Sequence, residues 1–283
     1  MERRDYGERR TDNDTHLMFR RAKLKTREQK TEQNLEYPMP ILQAGKYFSL
    51  TPCQYSSNMD NSKMFLYWGS GSGPCWKAMI SLAEKGLWEG CPNKMISFSN
   101  KEHKTDEVFT LNPRGQVPTF RDGDVVVNES DAILMYLEEN YSKDGNRLLP
   151  TSGPERAQVY QRMFEAQNVQ TNIIKELVVY HWRTKPEDRD DKIVKERMEK
   201  AKVELGYWEK ALNGHAYMVG NNFTLADVAV YPFLAFLMRM GASFREFPAL
   251  LKYYEAITKR PSVQATWPPH WKEGTTDPIL GEL

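Results

Sequence analysis

The stretch Leu111-Asn112-Pro113-Arg114-Gly115-Gln116-Val117-Pro118, followed across a short hairpin by Asn128-Glu129-Ser130, constrains the fold more than any other. Its residue order predicts a loop, a strand entered at a proline, a tight turn, a second strand and the start of a helix. Asp122-Gly123 between Thr119-Phe120-Arg121 and Val125-Val126-Val127 is a hairpin signal, because the glycine takes the positive φ that a two-residue turn requires. Val117-Pro118 is a candidate cis peptide, since X-Pro bonds are the ones in which cis is cheap. A cis-proline there would turn the N–H and C=O of Val117 outward, where they can pair with an extended peptide as an edge strand does. Ser130 stands where a helix begins, and its hydroxyl with the free first-turn N–H groups suits a carboxylate.

The flanking residues extend this pattern. Met64 to Trp68 is a short apolar strand, Gly69-Ser70-Gly71-Ser72-Gly73 a glycine-rich turn, and Pro74 fits the first turn of a helix with Met79, Ile80, Leu82 and Ala83 on one face and Gly86 at its end. Lys94 to Phe98 is predicted as the next strand, and Asp131 to Tyr141 as a helix with Ile133, Leu134 and Leu137 inward. That order fits a thioredoxin-like domain over residues 64–147. Beyond the linker Leu148-Leu149-Pro150 and Ser152-Gly153-Pro154, helical periodicity takes over. Long helices are predicted over Pro154 to Trp182 and Pro186 to Leu212. In Thr224-Leu-Ala-Asp227 the threonine caps and the aspartate reaches back, opening a helix that includes Val228 to Met240; Pro248 and Pro261 start the last helices. The predicted fold class is therefore α+β and two-domain, a thioredoxin-like N-terminal domain followed by an all-α C-terminal domain over residues 148–283.

Charge and cysteine usage narrow the function. A net charge of +1 offers no basic excess to draw in nucleic acid. Cys53, Cys75 and Cys91 are too few and too scattered for a disulfide framework or a metal site, which favours a reducing, cytoplasmic setting. No apolar run approaches a membrane span; Val228 to Met240 contains Pro232 and Arg239 and is expected to be a buried helix. Residues 1–63 mix Arg3, Arg4, Arg9 and Arg10 with Glu2, Asp5, Glu8 and Asp12, lack apolar periodicity and are expected to form a disordered extension. Their acids argue against a mitochondrial transit peptide. Met64, which opens the first strand directly, is a candidate start for a shorter product.

Taken together, Asn112-Pro113, Gln116-Val117-Pro118 and Glu129-Ser130 resemble the glutathione-binding half of the cytosolic glutathione transferases. The run Leu66-Tyr67-Trp68-Gly-Ser-Gly-Ser72-Gly-Pro-Cys75-Trp76 is similar to the theta-like rho class of that family. The resemblance covers about residues 64 to 268 and implies a glutathione transferase fold. It implies that Val117 and Pro118 hold the cysteinyl backbone of glutathione and that Glu129 and Ser130 hold its γ-glutamyl end. Gln116 and His103 would sit near its glycyl carboxylate; a solvated loop residue is the plain alternative for His103.

The chemistry that follows needs no protein nucleophile. The thiolate of glutathione attacks an electrophile, and a protein hydrogen bond to the sulfur favours that charged form. Four donors compete: Tyr67, Ser70, Ser72 and Cys75. Tyr67 resembles the mu-class tyrosine, whereas Ser72-Gly-Pro-Cys75 resembles the theta-class pattern whose serine is the donor. Ser72 is therefore the expected catalytic residue, with Tyr67 second. A core aromatic is the plain alternative for Tyr67, and a packing cysteine for Cys75. The resemblance further implies a hydrophobic electrophile lying between the domains against Tyr160, Met163, Phe164 and Gln167. The tail Trp267-Pro-Pro-His270-Trp271 could act as a lid there or simply pack on the surface. Glutathione would be co-substrate, no metal would be needed, and the family is usually homodimeric. Two other readings stay open, a non-catalytic interaction module of the same fold and a thiol–disulfide enzyme using Cys75.

Overall fold

The structure is a computed structural model that describes residues 63–272 and 278–283; the expected N-terminal extension, apart from Lys63, and Cys53 lie outside the described residues. A four-stranded mixed sheet forms first. It comprises β1 (Met64–Trp68), β2 (Asn93–Met95), β3 (Thr119–Asp122) and β4 (Val125–Val127), in spatial order β2-β1-β3-β4. β1 runs parallel to β2 and antiparallel to β3, with Leu66 opposite Phe120. Alternation along β1 buries Met64, Leu66 and Trp68 on one face, and Tyr67 on the other beside Ile96 and Val108. The sheet is thus covered on both sides. Helices α1 (Gly73–Glu84) and α3 (Ser130–Asn140) lie on one, and α2 (Asp106–Leu111) on the other through Val108.

The second half is helical: α4 (Gly153–Asn168), α5 (Tyr180–Arg183), α6 (Asp191–Ala211), α7 (Leu225–Arg239), α8 (Pro248–Thr258) and α9 (Pro261–Ala265). Between α4 and α5 the chain does not leave the helix but widens it into π geometry over Val169–Val179. Six of those eleven residues are β-branched (Val169, Thr171, Ile173, Ile174, Val178 and Val179), and such side chains crowd the preceding turn of an ordinary α-helix. The predicted helix over Pro154 to Trp182 is therefore continuous but not α throughout. The helix predicted from Pro186 starts at Asp191 instead, behind a short 3₁₀ turn at Pro186–Asp188, because the Asp190 carboxylate caps it by accepting from the N–H groups of Lys192 and Ile193. β2 is shorter than expected: after Ile96, whose N–H reaches the carbonyl of Trp68, residues Ser97 and Phe98 turn into a loop.

Helix α7 is apolar around its whole circumference and accordingly buried, packed on α4 and α1. Its start is the expected capping box. The Thr224 hydroxyl accepts from the Ala226 N–H, and the Asp227 carboxylate accepts from the Thr224 N–H at 2.8 Å. Asp227 also accepts from the Met218 N–H at 2.9 Å and the Tyr253 hydroxyl at 3.1 Å, so one buried carboxylate joins α7, α8 and the preceding loop. Burial outweighs those hydrogen bonds and pushes its carboxyl up to about 6. Asp227→Ala would strand four donors, the N–H groups of Met218 and Thr224 and the hydroxyls of Thr224 and Tyr253, and we expect a loss of about 3 kcal/mol and a fall in melting temperature of roughly 10 °C, measurable by calorimetry.

Candidate active site

A cavity of about 1,070 Å³ opens between the glycine-rich turn, the Val117-Pro118 loop, the start of α3 and the helices α4 and α7. The loop is fixed by Asn112, whose side-chain amide donates to the carbonyl of Gln116 at 2.9 Å while its carbonyl oxygen accepts from the Arg114 N–H at 3.1 Å. Thr119 donates to the same Gln116 carbonyl. Gly115 makes the turn possible at φ +54, where any Cβ would meet the Phe109 ring. The Val117-Pro118 bond is cis, and among the described residues neither the N–H nor the C=O of Val117 makes a backbone hydrogen bond.

All six residues expected to hold the peptide line this cavity: His103, Gln116, Val117, Pro118, Glu129 and Ser130. Ser130 is the first residue of α3, behind Glu129 as the cap, so its first-turn N–H groups face a site that suits a carboxylate. His103 rests against Phe98 with ring centroids 5.5 Å apart. Its Nδ1 is buried without a hydrogen-bond partner among the described residues, and burial and the nearby Lys104 charge pull its pKa down, so the ring is neutral near pH 7.

The four candidate thiolate donors separate clearly. The Tyr67 hydroxyl points to the far face of the sheet and donates to Glu107 at 2.9 Å; Tyr67 does not line the cavity. Burial, followed by the Glu107 contact, raises its pKa. Cys75 is fully buried, its sulfur accepts from the Gly69 N–H at 3.4 Å, and burial pushes its thiol up to about 11, so it is a thiol rather than a thiolate at neutral pH. Ser70 and Ser72 both line the cavity. Ser72 caps α1, its oxygen accepting from the Cys75 N–H at 3.4 Å, and its hydroxyl is also within hydrogen-bonding reach of the Cys75 thiol.

Lys77 is fully buried and ion-paired with Asp131 at 2.9 Å, while Gln167 donates to the other oxygen of Asp131 at 3.0 Å. Burial pulls the Lys77 pKa down and Asp131 partly offsets it. That carboxylate ties α1, α3 and α4 together in the cavity wall. The sequence argument missed it, although its position beside Ser130 in a first helical turn was the available signal.

Of the expected electrophile-site residues, Phe164 and Gln167 line the cavity, whereas Met163 turns into the core and Tyr160 lies off the wall. The apolar wall is completed by Ile174 from the widened helix, Trp182 from α5, and Phe233 and Phe236 from α7. None of these had a local sequence signature that set it apart from core. His270 and Trp271 of the tail also line it. Among the described residues, no cluster of His, Cys, Asp and Glu could hold a metal ion, and no helix is long and apolar enough to cross a membrane.

This arrangement has counterparts among known proteins. Family models for the glutathione S-transferase N-terminal and C-terminal domains match residues 72–140 and 170–261. The chain is 42% identical to glutathione S-transferase A of Pleuronectes platessa over 212 residues, 74% of this chain and 93% of that protein. It is 35% identical to glutathione S-transferase 1 of Dianthus caryophyllus, covering 72% of this chain and 90% of that one. Among solved structures, a glutathione S-transferase from the Antarctic clam Laternula elliptica superposes with a TM-score of 0.72 at 47% identity, over 78% of this chain and 99% of that one. The sheet with its two flanking layers, the helical half and nearly full-length relatives at this identity agree, and the chain belongs to the glutathione S-transferase family.

Proposed function

We propose that this chain conjugates the thiolate of glutathione to small hydrophobic electrophiles, with Ser72 stabilising the thiolate, and that it lies nearest the rho and theta-like classes. The observation that carries this reading is the position of Ser72, which lines the cavity at the N-cap of α1 with its oxygen engaged by the Cys75 N–H. The N-terminus of α1 adds a positive dipole at the same place. A drop of about two units from the free thiol value of about 8.5 requires roughly 2.7 kcal/mol of differential interaction, within reach of a hydroxyl donor at a helix N-terminus.

Glutathione fits the rest of the cavity in one direction. Its cysteinyl backbone pairs with Val117, its γ-glutamyl carboxylate meets Ser130 and the first-turn N–H groups of α3, and its glycyl carboxylate meets His103 and Gln116. Glu129 takes the γ-glutamyl ammonium. The apolar wall of Phe164, Ile174, Phe233 and Phe236 receives the electrophile. Residues 64–147 then act as the glutathione-binding domain and 148–283 as the electrophile-binding domain. We further infer a cytoplasmic homodimer that needs no metal; exposed apolar residues of the first half, Met95, Phe98 and Met135 among them, suit an interface.

The test is conjugation of glutathione to a chlorodinitrobenzene by the wild type. A chain that neither turns over nor binds glutathione would be an interaction module instead. The same assay separates the thiol–disulfide reading. Cys75→Ala and Tyr67→Phe are expected to stay near wild-type rate, because neither group reaches the cavity in reactive form. Activity lost on Cys75→Ala but kept on Ser72→Ala would move the chemistry to the cysteine.

A further inference from the structure

The tail returns over the glycine-rich turn. Trp271 is buried and packs edge-on against Trp76 at 5.4 Å and Trp267 at 5.9 Å, and the Trp76 Nε1–H donates to the Thr266 hydroxyl at 2.9 Å. These contacts fix the 3₁₀ turn Pro269–Lys272. His270, carried on that turn, places its Nδ1 2.6 Å from the Ser70 hydroxyl. Gly71 allows the approach: it stands at φ +77, and a Cβ there would come within 2.7 Å of His270 Cε1 and 3.1 Å of Trp271 Nε1. Ser70 and His270 line the same cavity as Ser72.

Ser72 can stabilise a thiolate, but a neutral hydroxyl is a poor final acceptor for the proton that the thiol loses. Of the side chains around this turn, an imidazole is the one whose ordinary pKa suits that task near neutral pH. We propose that Ser70 and His270 form a proton relay for the thiol of glutathione, an inference that rests on the glutathione site proposed above. The thiol S–H bond breaks as its proton passes to Ser70 Oγ, and the hydroxyl proton of Ser70 passes to His270 Nδ1. A thiolate and an imidazolium result. The Ser70 hydroxyl then donates to the sulfur while Nδ1–H donates to Ser70 Oγ, so the same pair that removes the proton supplies a second donor beside Ser72. The imidazolium afterwards returns its proton to water. His270 acts through Ser70 and is a positioning residue.

Arg239 of α7 reaches the Trp271 carbonyl through Nη1 at 3.4 Å, Lys272 follows on the same turn, and the glycine-rich turn carries no charge. The carboxylates that line the cavity, Glu129 and Asp131, belong to the start of α3, and Asp131 is already paired with Lys77.

The test is the pH dependence of kcat/KM for glutathione in wild type, His270→Asn and Ser70→Ala, with the melting temperature of each recorded. Asparagine can still accept from the Ser70 hydroxyl but cannot take up a proton, and the recorded melting temperatures show whether the tail stays in place. The wild-type profile is expected to carry a limb in the imidazole range, about pH 6.5. Both variants should lose that limb and fall about 10²-fold at pH 7, the low end of what a positioned acid–base group contributes, with KM for glutathione little changed. A wild-type profile without the limb overturns the relay, and so does a limb that survives in either variant. If Ser72→Ala is crippled while His270→Asn and Ser70→Ala behave as wild type, the relay alone falls. A wild type that conjugates nothing and binds no glutathione removes the site and the relay together.

Discussion

Ser72→Ala is expected to lower kcat and kcat/KM for glutathione conjugation together by about 10²–10³-fold, the size of losing one well-aimed donor to a developing or standing negative charge. The backbone N–H of Cys75 holds the Ser72 oxygen at the start of α1, and Pro74 in that first turn makes no competing demand for an N–H partner. Alanine removes the hydroxyl proposed to donate to the sulfur and leaves the sheet and the Asn112–Pro118 loop in place. KM for glutathione should change little, because Val117, Ser130 and Glu129 are proposed to bind parts of the molecule distant from the thiol. Steady-state kinetics with a chlorodinitrobenzene checks this. A silent Ser72→Ala beside a crippled Tyr67→Phe would place the donor on β1 and overturn the class proposed here.

Glu84→Ala is expected to be the most destabilising single change, about 3–5 kcal/mol, with a fall in melting temperature on the order of 10 °C or more. Glu84 ends α1 and is 4% exposed. Its carboxylate accepts from Arg260 Nε and Nη2 at 2.6 and 2.7 Å, from Asn146 at 2.8 Å and from the Ser262 hydroxyl. Removing it leaves the Arg260 guanidinium, stacked 3.9 Å over the Phe223 ring, without its partner at the start of α9. Burial alone would raise the Glu84 pKa, but the hydrogen bonds from Arg260, Ser262 and Asn146 and the Arg260 charge hold it below the ordinary carboxylate range. A depressed folded-state pKa means a contribution present above the unfolded value and lost as the pH falls through the folded one. The difference in stability between wild type and Glu84→Ala should therefore shrink in acid, which denaturant melts at neutral and acidic pH would show. Because α9 leads directly into Trp267–Lys272, loosening this junction should also loosen the tail over the active site.

The parts of this molecule that the sequence made legible are those whose chemistry is local. Pro74 marked the start of α1, Asp122-Gly123 the hairpin, Thr224 and Asp227 the capping box, and each depends on backbone geometry within a few residues. The loop Asn112 to Pro118 was legible for the same reason, since it folds largely on itself. What escaped depends on contacts far apart in sequence. His270 meets Ser70 across 200 residues, and no periodicity in the tail announces which turn it will cover. Facing was also misjudged along α4: Met163 and Phe164 are neighbours about 100° apart on the helix, so one enters the core and the other the cavity, and both satisfy an apolar pattern. The π geometry of Val169–Val179 changes the angular spacing along the helix, and Ile174 within it and Trp182 after it line the cavity. Tyr67 shows the converse. Its place beside Trp68 at the end of a strand resembles a donor tyrosine, but strand alternation sends it to the opposite face, onto Glu107.

Titration of the ultraviolet thiolate absorbance of enzyme-bound glutathione reads how far Ser72 lowers the pKa of the glutathione thiol, as proposed. In the wild type the bound thiol should titrate about two units below the free value of about 8.5, and in Ser72→Ala it should return most of the way to that value while glutathione still binds. Equal titration in wild type and Ser72→Ala, whether both are depressed or both near the free value, would contradict the account.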